Sequence, residues 1–87
     1  MRLKFKVEIV EFEDYFVAVP FGDGSDIFRG ILKVNEVGAS ILQLLDKDIS
    51  EKEIIESLEK EYDVSKEALS SDVRQFLMQF EERGLLQ

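Results

Sequence analysis

Between Ile27 and Asp46 the hydrophobic period changes once, and that change limits the folds open to this chain. Ile27 to Val34 is an extended, mostly apolar run. It ends at Asn35, a residue that favours the N-cap of helices, and Val37, Ile41, Leu44 and Leu45 then recur at helical spacing. A strand therefore runs straight into a capped helix.

Upstream of this junction the pattern is that of strands. Leu3, Phe5, Val7 and Ile9 alternate with Lys4, Lys6 and Glu8, the period of a strand with one buried face. Glu13-Asp14 breaks the alternation and Tyr15 to Phe21 resumes it, which predicts a hairpin with Pro20 near the end of its second strand. Gly22-Asp23-Gly24-Ser25-Asp26 reads as a turn. Its glycines do not make a phosphate loop, because the Gly-Lys-Ser/Thr ending is missing and aspartates repel phosphate. The spacing and late Glu of a calcium loop are missing too. Ile27 to Val34 is the third strand.

Downstream the period is helical. The first helix is expected from about Glu36 to Asp46. Ser50-Glu51-Lys52-Glu53 has the form of a capping box and opens a second helix with Ile54, Ile55, Leu58 and Tyr62 on its buried stripe. Ser65 caps the third and longest helix, where Leu69, Val73, Phe76, Leu77 and Phe80 form the apolar stripe. Gly84 is placed to end it, with Leu85 and Leu86 folding back onto the core. The predicted fold is α+β and winged helix-turn-helix-like, a three-stranded antiparallel sheet followed by three helices. With no linker or repeat, residues 1–87 are expected to form a single domain.

Composition narrows the chemistry. The chain has no cysteine and no histidine, so disulfides, thiolate metal sites and the commonest general base are all absent. The glutamates of the second helix follow its solvated face and do not converge, so no catalytic residue, metal site or cofactor is expected and the chain is not read as an enzyme. No apolar run spans a bilayer and the N-terminus lacks a signal-peptide core, which gives a cytoplasmic expectation with no membrane partner. The net charge is −8, and residues 35–87 hold thirteen acidic against six basic residues. A helix-turn-helix arrangement invites a DNA-binding reading, that of a winged-helix transcriptional regulator. Against it, the third helix offers only Lys66, Arg74 and Arg83 beside Glu67, Asp72, Glu81 and Glu82, so no nucleic-acid partner is expected.

Both outer strands of a three-stranded meander are edges. The first is guarded by Arg2, Lys4 and Lys6 at alternate positions. The third carries only Arg29 and Lys33, and Gly30 leaves room for another backbone. An extended peptide could add there as a fourth strand, and a proline at Ile31 is the natural probe of that edge. The same edge could pair with itself, giving a homodimer. The alternative is that Ile27, Phe28, Ile31 and Leu32 are plain core residues.

Three blocks resemble one family. Leu32 to Asp46 resembles the "LNxxGxxIWxLLDG" signature of PqqD-like proteins, the RiPP recognition elements of peptide-modifying pathways. Val34 stands for the usual Leu, Leu42 for Trp and Lys47 for Gly. Ile49 to Ile54 resembles the family's "(T/S)xxEI" helix start, and Asp72 to Leu77 followed by Arg83 to Leu86 its "DVxxFLxxLxxxGLL" ending. The resemblance implies a peptide chaperone. It would bind the leader of a ribosomally synthesised precursor peptide and present it to a maturation enzyme such as a radical S-adenosylmethionine protein, protease or cyclase. Carried over by position, it implies a peptide-binding site at Ile27, Phe28, Arg29, Gly30, Ile31 and Leu32 of the strand, with Asp72, Val73, Phe76 and Leu77 of the third helix. Which flank of the helix faces the peptide stays open.

Overall fold

A computed structural model describes residues 1–22 and 30–87. Strands β1 (Lys6–Glu11), β2 (Phe16–Phe21) and β3 (Leu32–Val34) form an antiparallel sheet in the order β1-β2-β3. Helices α1 (Glu36–Leu44), α2 (Glu51–Glu61) and α3 (Lys66–Glu82) follow. The expected fold class is therefore the observed one.

The β1–β2 hairpin turns at Glu13-Asp14, with the Phe12 N–H donating to the Tyr15 carbonyl at 2.8 Å. No described non-glycine residue has a positive φ, so this short loop closes without the mirror-image turn that Asn-Gly loops use. Phe12/Tyr15 is thus a hydrogen-bonded pair, and in an antiparallel ladder such pairs alternate. With the observed register, Val10/Val17, Glu8/Val19 and Lys6/Phe21 are hydrogen-bonded, while Ile9/Ala18 and Val7/Pro20 are not. Pro20 therefore sits where β1 asks it for no donor.

The sequence suggested one strand from Leu3 onward, and the structure splits it. Lys6 is paired with Phe21, the last residue of β2, so the residues before Lys6 have outrun that strand and take another partner. Leu3 bridges Leu86, Arg2 and Gln87 exchange backbone bonds at 3.1 and 2.7 Å, and the Lys4 N–H reaches the Leu85 carbonyl at 3.0 Å. The Met1 ammonium also lies 2.7 Å from Asp48, and that hydrogen bond and charge hold the Asp48 carboxyl below the usual range.

Side chains on one face of the sheet meet the helices in one hydrophobic cluster. Ala18 of β2, Ile41 and Leu42 of α1, Ile54 and Leu58 of α2 and Val73 of α3 lie at its centre, each essentially inaccessible. Each helix begins on a side-chain cap. Asn35 Oδ1 accepts from the Gly38 N–H at 2.8 Å, and Ser65 Oγ accepts from the Ala68 N–H at 3.2 Å. At Ser50 the capping box is complete: its hydroxyl accepts from the Glu53 N–H and Glu53 accepts from the Ser50 N–H, both at 3.1 Å. Ser50→Ala removes the first of these bonds and should lower stability by about 1 kcal/mol. That corresponds to a thermal midpoint roughly 4–8 °C lower, read by circular dichroism; an unchanged midpoint would mean the box contributes nothing.

α3 ends in a Schellman motif. The Leu85 N–H bonds the Phe80 carbonyl at 3.0 Å and the Gly84 N–H bonds the Glu81 carbonyl at 2.9 Å, with Gly84 at φ +70. The reversal returns Leu85 to the core, 4% exposed. α1 stops at Leu44, two residues short of the expected Asp46, with Leu45 as its cap residue.

Candidate functional site

The site grows from the edge of β3. Because Ile9/Ala18 and Glu11/Phe16 are the pairs that make no bonds to each other, the backbone groups of Ala18 and Phe16 turn the other way, toward β3. Ala18/Leu32 and Phe16/Val34 are then the hydrogen-bonded pairs, and Val17/Lys33 is not. The Lys33 N–H and C=O consequently point away from β2, toward the open side of the strand. No described strand lies beyond it.

Beside this edge runs a groove roofed by α3. One hollow of about 310 Å³ is lined by Leu32, Lys33, Val34, Asn35, Phe76, Gln79, Phe80 and Arg83. A second, of about 260 Å³, continues past Asn35 to Val37, Gly38, Ile41, Asp72 and Gln75. The two share Asn35, Phe76 and Gln79 and form one trough between the β3–α1 junction and the helix. Its apolar wall is the stacked pair Phe76 and Phe80, with centroids 4.6 Å apart.

Gly38 makes the trough possible. A Cβ there would stand 3.1 Å from a Phe76 ring carbon, 3.1 Å from Val34 Cβ and 3.3 Å from Asn35 Oδ1. β3, the first turn of α1 and α3 therefore converge on a point where even a Cβ fits only if its neighbours give way slightly. Asn35 supplies polarity at the same point: its oxygen holds the cap bond, and its amide nitrogen has no partner among the described residues.

Of the residues implied by resemblance, Leu32, Asp72 and Phe76 line the groove. Ile27, Phe28 and Arg29 lie outside the described residues. Gly30 has φ +104, a turn conformation and not a strand one, so the described part of β3 begins at Leu32 and is shorter than the sequence suggested. Ile31 is 60% exposed on the opposite face of the sheet, beside Val10, Phe12 and Tyr15. There the Lys33 ammonium sits 4.5 Å above the Tyr15 ring, which stacks on Phe12.

Val73 and Leu77 sit in the core, 0% and 4% exposed, beneath the groove and not in its wall. The wall is one step round the helix, at Asp72, Gln75, Phe76, Gln79 and Arg83. These positions repeat every three to four residues and so share one face. That repeat was present in the sequence, but polar residues at helical spacing also describe an ordinary solvated flank. On another flank of α3, Arg74 lies 3.4 Å from Glu51. Among the described residues no group of His, Cys, Asp and Glu could hold a metal, and no helix is long and apolar enough to cross a membrane.

A three-stranded sheet with an outward-facing backbone pair on its last strand, bordered by a helix-roofed trough, defines a small α+β domain with a hollow beside the edge of β3. The family model described as Coenzyme PQQ synthesis protein D (PqqD) matches residues 24–86, and the chain belongs to that family. Its fold is similar to that of a solved structure described as TbiB1 in complex with the TbiA(beta) leader peptide. The two share 24% identity at a TM-score of 0.69, over 100% of this chain and 95% of that one. None of the curated proteins compared with the chain matches it.

Proposed function

We propose that this protein is a peptide chaperone that binds the leader of a ribosomally synthesised precursor and presents it to a modifying enzyme. The observation that carries the reading is the open backbone of Lys33 beside the Phe76 trough. Main-chain hydrogen bonds to β3 give affinity without sequence preference, while alternate side chains of the added strand enter the trough and give specificity. Family membership supports this, as does the likeness to a protein solved with a leader peptide bound. The chain acts as a single domain and as a carrier, leaving chemistry to its enzyme.

The test is a titration of the purified protein into a fluorescein-labelled leader taken from the short precursor encoded nearest its gene. A saturable rise in anisotropy, lost when the leader is scrambled, is the expected result. Absence of saturation with every neighbouring short precursor would overturn the proposal. Which class of enzyme follows (radical S-adenosylmethionine protein, protease or cyclase) is read by asking which of them co-elutes with the leader-loaded protein.

A further inference from the structure

We infer that the groove reads charge in a fixed order. It selects an extended segment with a basic residue, an apolar residue two positions later, and an acidic residue two positions beyond that. The inference rests on the peptide-binding reading above and names the class of segment that fits it.

Three residues lining the trough carry formal charge: Lys33, Asp72 and Arg83. The Lys33 ammonium is turned to the other face of the sheet, over Tyr15. That leaves Asp72 at one end and Arg83 at the other, with uncharged Gln75, Phe76 and Gln79 between them. Neither Asp72 nor Arg83 has an ion-pair partner among the described residues. Arg83 caps the C-terminus of α3, where the helix dipole welcomes a cation. Asp72 lies in the second turn of the helix, past the reach of the opposite dipole end, so the dipole does not account for both.

The spacing follows from two repeats. Asp72 and Arg83 are eleven positions apart on α3, a separation of roughly 16 Å along the helix axis. On an added strand only every second residue faces the helix, and a step of four residues covers roughly 13 Å. The length of the Arg83 side chain, and of a Lys or Arg on the peptide, closes the remainder. The residue midway between the two charges then lies over Phe76 and Val34.

The direction follows from the sheet. From Leu32 to Asn35 the chain moves from the Arg83 end of the trough toward the Asp72 end. Every pairing among the described strands is antiparallel, the arrangement slightly more stable per residue. A strand added antiparallel to β3 enters at Asp72 and leaves at Arg83, which puts its basic residue first and its acidic residue last.

The probe is a displayed library of random dodecapeptides, panned separately against the wild-type protein and against the double variant Asp72→Arg/Arg83→Glu. Both positions are exposed, so the variant should keep the wild-type circular dichroism. The wild type should enrich the order basic, apolar, acidic at alternate positions, and the variant the reverse. For the best wild-type peptide, the double variant should weaken binding by about three- to tenfold, as two solvent-exposed ion pairs allow. That difference should shrink at high salt, where exposed charges are screened. Enrichment of apolar peptides with no charge order, or the same order from both proteins, overturns the charge inference and leaves the peptide-binding reading standing. Enrichment of nothing by either protein overturns both.

Discussion

Lys33→Pro should strongly weaken leader binding while leaving the fold in place. Proline lacks the N–H, and at Lys33 that N–H points away from β2, so no bond within the sheet is lost. Edge strands tolerate proline for this reason, and Leu32, the residue before it, is already extended. The fold forfeits the ammonium contact with Tyr15, worth about 0.5–1 kcal/mol. The added strand loses far more. Its carbonyl opposite Lys33 has no donor, an unsatisfied group costing about 1–3 kcal/mol, and the proline ring occupies the line along which the strand approaches. Leader affinity should fall by about thirtyfold or more. Lys33→Ala is the control: it removes the same charge and ring contact but keeps the N–H, and should change affinity by less than about fivefold. If the proline variant binds the labelled leader as tightly as the alanine variant, strand addition at β3 is wrong.

The sequence alone places this probe at Ile31, which shares its outward parity with Lys33 but lies before the described strand, since β3 begins at Leu32 after the Gly30 turn. Which backbone groups of an edge strand face outward depends on register, and register here is counted from a single bond, Phe12 to Tyr15, carried across β2 by pairing. No local pattern near residue 33 encodes that count. The strand-to-helix junction, the three caps and the Gly84 reversal were legible because each is a contact between near neighbours in the chain. The split of the first strand was not, since it depends on where β2 ends and on the chain's last residues returning to Leu3. On α3 the apolar stripe is core, and Val73 and Leu77 lie within it beneath the trough. Asp72 and Phe76 line the trough because they flank the stripe on the side of Gly38, and only the packing of α1 against α3 decides that side.

Gly38→Val should unfold the site at its centre and lower global stability by about 2–4 kcal/mol. In a helix, replacing glycine by alanine ordinarily gains up to about 1 kcal/mol. At Gly38 that gain is opposed by three close neighbours, and they differ in how far they can yield. The Phe76 ring is half-buried and can swing into the trough. Val34 Cβ is fixed to the β3 backbone, and Asn35 Oδ1 is held by the cap bond to Gly38 itself at 2.8 Å. Alanine should therefore be accommodated at a net stability change under about 1 kcal/mol, with Phe76 displaced into the trough. Valine adds two more carbons where none fits, so the first turn of α1 must lift from β3 and α3. The cap bond goes with it, at a further cost of about 1 kcal/mol. For a domain of this size the thermal midpoint should drop by roughly 10–25 °C. Circular dichroism melts of the two variants give the stability change, and leader titration at low temperature gives the binding change. The expected pattern is separable: Gly38→Ala folded but weaker for the leader, Gly38→Val failing in both. A valine variant that melts with the wild type would mean that β3, α1 and α3 do not close on this position, and the trough would lose the constraint that shapes it.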